Sequence, residues 1–112
     1  MTLACAGLLA SVTPSAAVET YHARLGQAIG CESSEAVAAL TLLQRQQPPD
    51  KARIKATLSR GHCVTISGAI SLIVEARVTS PAGPVGLIRG EHGGIGRLWV
   101  ILDDLEMSGM SR

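Results

Sequence analysis

The chain has no Phe, one Trp and one Tyr among 112 residues. Its core must therefore be built from Ala, Val, Ile and Leu, and the base-stacking platforms of single-strand nucleic-acid binders are missing. Charge of one sign is lacking too. Ten Lys and Arg stand against nine Asp and Glu, a net charge of +1, which argues against a strongly basic nucleic-acid-binding or polybasic membrane-binding protein. No apolar run approaches the roughly 20 residues that a spanning helix needs. There is no G-x-x-x-x-G-K-[ST] phosphate loop, no G-x-S-x-G nucleophile elbow and no EF-hand spacing.

What remains is an ordinary apolar fraction of 46%, enough for one small domain with a modest core. Leu3 to Val12 has the length and smallness of a signal-peptide apolar region, and Ser15-Ala16-Ala17 offers small residues for cleavage after Ala17. The preceding Met1-Thr2 carries no Lys or Arg. The competing reading makes Thr13 an N-cap and Pro14 the first residue of a helix.

Val18, Tyr21, Leu25 and Ile29 recur at steps of three or four, so the spacing predicts a helix over 18–29 closed by Gly30. Ser33 as N-cap, Glu35 in the first turn and the stripe Val37, Leu40, Leu43 predict a second helix from Ser34 to Gln47, ended by Pro48-Pro49. Together they predict a helical hairpin over 18–47. Beyond Asp50, Ala52, Ile54, Ala56 and Leu58 alternate with Lys51, Arg53, Lys55 and Thr57. This is read as a strand, with a helix capped by Asp50 as the alternative.

Val64, Ile66, Ile70, Leu72, Val74, Ala76 and Val78 then fall on even positions, the pattern of half-buried antiparallel strands broken by a bend at Ser67-Gly68. Thr79 to Pro84 is a turn, Val85 to Arg89 a return strand, Gly90 to Gly94 a second turn and Ile95 to Leu102 a last strand, a β-meander. Residues 107–112 read as a frayed tail. The expected fold class is α+β, with an N-terminal helical hairpin (18–47) followed by a small antiparallel barrel or twisted meander sheet (51–106).

Gly61, Cys63, Val64 and Ile66 precede a valine-rich hairpin and a glycine loop, followed by Arg97-Leu98-Trp99-Val100 and Asp103-Asp104-Leu105-Glu106. Over residues 57–106 this resembles bacterial Src-homology-3-like domains. Their last strand often carries Gly-x-Trp-Val before an acidic-Leu turn, although the gap from Gly96 to Trp99 is longer than that pattern. The resemblance implies a small five-stranded barrel used for binding or targeting in envelope or cell-wall proteins. The aromatics that would line such a family's ligand groove are mostly missing.

Removal of residues 1–17 would take Cys5 away and leave Cys31 and Cys63, an even pair suited to one disulfide in an oxidising compartment; the alternative is two buried free thiols. A metal site from Cys31, His62, Cys63 and His92 lacks the spacer of zinc motifs. A Cys63 nucleophile with His62 or His92 lacks an orienting third group. Neither a catalytic residue nor a cofactor is therefore expected. Lys51, Arg53 and Lys55, with Arg60, Arg89 and Arg97, would form a basic strand face, read first as a solvated edge guarded against aggregation and second as a surface for nucleic acid or an acidic partner.

Alternation along the last strand sends Leu98, Val100 and Leu102 to one face and Arg97, Trp99, Ile101 and Asp103 to the other. The expected ligand surface is thus Trp99 and Arg97 with Glu91 and His92 nearby. The alternative packs Trp99 under the helices. The leading expectation is an exported, non-catalytic binding module, periplasmic or secreted, with a protein or cell-wall partner. A cytosolic protein using its basic face on nucleic acid or an acidic partner is the second.

Overall fold

Val18 to Ala23 is extended, not helical. In the computed structural model, which describes residues 18–111, the segment expected as the first helix is two strands, β1 (Val18–Ala23) and β2 (Gln27–Gly30). They are separated by a turn in which Gly26 has φ 88°. The three-or-four spacing of Val18, Tyr21, Leu25 and Ile29 is overridden by long-range pairing. β1 lies antiparallel to both β4 and β7, and its β-branched and aromatic residues suit a pleated surface. Leu25, placed on that supposed helix stripe, stands 88% exposed at the turn.

The second predicted helix is present as α1 (Ser34–Arg45). The Ser33 side chain accepts from the Ala36 N–H at 3.1 Å, Glu35 sits in the first turn, and Val37, Leu40 and Leu43 are buried. Its partner is not upstream but downstream. Residues 51–58, expected as a strand, lie in α2 (Lys51–Arg60), whose N-cap Asp50 accepts from the Arg53 N–H at 3.1 Å. A cap that satisfies an orphan donor, with good helix formers behind it, outweighs an alternation that buries little. The helical pair is therefore α1–α2, inserted between β2 and β3, rather than an N-terminal hairpin.

The remaining elements are β3 (Val64–Ser67), β4 (Leu72–Ser80), β5 (Gly83–Gly90), β6 (Leu98–Ile101), a 3-10 turn (Leu102–Asp104) and β7 (Leu105–Ser111). Turns fall near Ser67-Gly68 and 90–94 as expected, while the turn expected over 79–84 tightens to Pro81-Ala82, because Thr79 and Ser80 pair with Pro84 and Gly83. The tail expected to fray is instead an ordered strand, β7, registered on β1 from Val18↔Ser111 to Ala23↔Leu105.

The main sheet is antiparallel, five-stranded and ordered β6-β5-β4-β1-β7, and β2 and β3 form a second, two-stranded ribbon. One bridge joins the two. Cys31 and Trp99 exchange both backbone hydrogen bonds, at 2.9 and 2.7 Å, linking the end of β2 to the edge strand β6. At the other end of the ribbon the Gly68 N–H donates to the Gly26 carbonyl at 2.7 Å. Only a glycine fits at 68, because a Cβ there would lie 2.9 Å from that oxygen. The sheet does not close into a barrel, since among the described strands β3 and β7 each keep one unpaired edge.

Two apolar clusters result. One lies between ribbon and sheet and gathers Ala28 and Ile66 with Leu72, Ile88, Leu98 and Val100. The other lies under the helices, where Val37, Ala38 and Leu40 meet Cys31, Val85 and Ile101. Strand β6 serves both, because alternate side chains point to opposite faces. The uniform even face expected from Val64 to Val78 does not survive. Ile66 and Leu72 are buried, but Val64 is 51% and Val78 40% exposed. A register shift between Val74 and Ala76 breaks the alternation in β4, and its second half runs out beyond the core.

Candidate binding surfaces

Each sequence-predicted site residue sits on a different local scaffold. Trp99, in the middle of β6, is half-buried and, like Ile54, Leu58 and Cys63, packs against the cluster beneath the helices. Arg97, just before β6, donates from Nε to Glu75 Oε1 at 2.9 Å. Glu91 accepts from the Ser71 hydroxyl at 2.9 Å, and His92 Nε2 lies 3.4 Å from the same carboxylate with its side chain 84% exposed. Thus Glu91 and His92 are brought together, while Arg97 is turned to Glu75 and Trp99 to the helices. Arg89, on β5, shares the partner of Arg97. It too donates to Glu75, at 2.9 Å from Nε to Oε2, so one carboxylate holds two guanidinium groups.

Cys31 and Cys63 are joined in a disulfide across 32 residues of chain. The placement of Cys63 is local in origin. Helix α2 ends with His62 in the left-handed region at φ 49°, and the Cys63 N–H reaches back to the Leu58 carbonyl at 3.0 Å, the six-to-one bond of a Schellman closure. That closure aims Cys63 at Cys31, which the Trp99 bridge holds fully buried. With both sulfurs bonded to each other, neither is a thiolate for zinc or for nucleophilic attack. Among the described residues, no three His, Cys, Asp or Glu side chains gather to hold a metal ion. Cys5 and the signal-peptide reading of 1–17 lie outside the described residues.

The acidic turn borders a cleft, although Asp103 and Asp104 are themselves exposed. This cleft, of about 200 Å³, is lined by Arg24, Leu25, Gln27, Ala28 and Ile29 together with Asp103 and Asp104. The chain is tied together here, since the Arg24 N–H donates to the Asp104 carbonyl at 2.8 Å and Arg24 Nη2 to the Leu105 carbonyl at 3.1 Å. Burial and then the neighbouring Asp103 push the Asp104 carboxyl above the ordinary carboxylate value, against the opposing pull of Arg45 and Arg24. Sequence reading missed this cleft because Arg24 and Arg45 come near Asp104 only through the tertiary fold.

No protein-family model, no curated protein and no solved structure matches the chain. The surface must be read from its own geometry.

The cations divide into two kinds. Those on or beside the strands are engaged: Arg89 and Arg97 with Glu75, Arg77 with the Tyr21 hydroxyl at 3.3 Å, and Arg24 with the Leu105 carbonyl at 3.1 Å. Those of α2, namely Lys51, Arg53, Lys55 and Arg60, are exposed and among the described residues have neither a hydrogen bond nor an ion pair from their side chains. The basic strand face expected from Lys51, Arg53 and Lys55 is therefore replaced by a helix that spreads the same charges around its outer half. Among the described residues no helix is long and apolar enough to cross a membrane.

Proposed function

We propose that the chain is a small exported binding module of the bacterial envelope, non-catalytic and acting in the periplasm or outside the cell after loss of residues 1–17. The observation that carries this reading is the Cys31–Cys63 disulfide, which closes the loop containing both helices. Such bonds persist in oxidising compartments and are rare in the cytosol. The Src-homology-3-like likeness belongs to the same reading. It is supported by the antiparallel order of five strands and by the acidic-Leu segment Asp103-Asp104-Leu105, which forms the 3-10 turn and leads into the last strand. The sheet is open, however, so the likeness concerns strand content and this turn, not a closed barrel. A protein or cell-wall component is the partner, and the exposed His92 beside Glu91 is one part of the surface offered to it.

The unpaired cations of α2 favour a second reading, a cytosolic accessory protein bound to nucleic acid or an acidic partner. Intact mass of natively produced protein separates the two. A chain shortened by residues 1–17 and lighter by two hydrogens is expected. A full-length, reduced chain overturns the exported reading.

A further inference from the structure

We propose that α2 is a docking face for an anionic phospholipid surface. This rests on the exported reading for its choice of polyanion and names the partner of one face. The near-neutral net charge of the chain conceals a segregation. Residues 45–60 hold five of the ten Lys and Arg residues and one of the nine Asp and Glu residues. That single acid, Asp50, is already committed as the cap of α2. The segment thus has a surplus of four positive charges in a chain whose overall surplus is one.

The geometry of α2 makes these charges act together. Ile54, Thr57 and Leu58 face the core. At about 100° per residue, Ala52, Ala56 and Ser59 then form the outermost ridge. Lys51 and Lys55 lie along one flank of it and Arg53 and Arg60 along the other. A ridge of small side chains lets a flat surface approach the helix closely, with long cationic side chains reaching the same plane from both sides. All seven of these residues are exposed.

A bilayer fits this face better than a nucleic acid. The helix spans about 15 Å, carries no aromatic for stacking, and offers on its outer ridge a single group able to reach a base edge, the Ser59 hydroxyl. With no large apolar residue on that ridge, the face sits on the headgroups without inserting. Attachment is electrostatic and reversible. Each Lys or Arg at an anionic leaflet contributes roughly a five-fold factor to partitioning.

The test is sedimentation of the natively produced, oxidised protein with vesicles rich in phosphatidylglycerol, against vesicles of phosphatidylcholine alone and a duplex DNA oligonucleotide. Binding to the anionic vesicles is expected, lost at about 1 M salt, where the screening length falls to roughly 3 Å. The pairs Lys51→Gln/Lys55→Gln and Arg53→Gln/Arg60→Gln should each weaken it by roughly 25-fold while leaving the circular dichroism unchanged. Equal binding to both vesicle types, binding indifferent to salt or to both variant pairs, or tighter binding to the duplex overturns the proposal. If the chain is shown shortened and oxidised yet ignores anionic vesicles, the docking face alone fails. A full-length reduced chain removes the exported reading instead.

Discussion

Reduction of the Cys31–Cys63 bond should be a large perturbation of this chain's stability. The bond encloses 32 residues of chain, including all of α1 and α2. The chain-entropy treatment gives roughly 4 kcal/mol for a loop of that length, a large share of the about 5–15 kcal/mol that holds a domain together. For a domain of this size that corresponds to a fall in Tm of roughly 15–30 °C. Native geometry at the site is secured independently, because Cys31 exchanges two backbone hydrogen bonds with Trp99 and the Schellman closure fixes Cys63. The reduced protein should therefore fold the same way and simply melt earlier. Thermal denaturation followed by circular dichroism, on oxidised protein and on protein reduced and alkylated after unfolding, then compared with Cys31→Ala/Cys63→Ala, reads this directly. Midpoints for the oxidised protein and the double variant within about 3 °C of each other would refute the argument, and would mean that packing under the helices restrains the loop without the bond.

Trp99→Ala should cost about 2–4 kcal/mol in urea titration, below the value for a fully buried Trp because this one is half-buried; a loss under about 1 kcal/mol would show that it does not hold the helices to the sheet. Gly68→Ala should destabilise by about 1–3 kcal/mol, since its Cβ would meet Gly26 backbone atoms at 2.9 to 3.0 Å; an unchanged urea midpoint would contradict the close approach of β3 to the β1–β2 turn. His62→Gly should stabilise by about 0.5 kcal/mol by relieving a left-handed non-glycine residue, and a lower Tm would refute that. The Asp104 carboxyl is held above its ordinary value by burial and Asp103. Its protonated form thus favours the fold, and this contribution, complete below the unfolded value of 3.8, is lost as pH rises through the folded value. Asp104→Asn should accordingly raise Tm near pH 7 and gain nothing near pH 3; an equal gain at both would show that the charge is not the cause.

Much of the local structure was legible. Ser33, Glu35 and the Val37-Leu40-Leu43 stripe specify α1 because cap, dipole and periodicity agree there. The glycine-bearing turns of the second half punctuate its strands because Gly83, Gly93 and Gly94 take positive φ and Gly68 leaves room for the Gly26 carbonyl. The alternation of β6 told that Leu98 and Val100 oppose Trp99 and Ile101, and the even cysteine count after residue 17 pointed to Cys31 with Cys63. Where the signals conflicted, local pattern gave way. The spacing from Val18 to Ile29 is helical, but those residues form strands because β4, β7 and β3, all distant in sequence, supply the backbone partners.

The sequence by itself therefore determined the aliphatic core, the capped helix, the turns and the segregation of cations into residues 45–60. These depend on residue type and near-neighbour spacing alone. Only the tertiary structure decided what each face meets. It packed the two helices together against the sheet, seated Trp99 against them, turned Arg89 and Arg97 onto Glu75, and brought Arg24 and Arg45 to the Asp103–Asp104 turn. It also left the α2 cations unpaired. Such outcomes depend on pairing between distant segments, whose loop-closure entropy and buried area are properties of the whole chain and of no window within it.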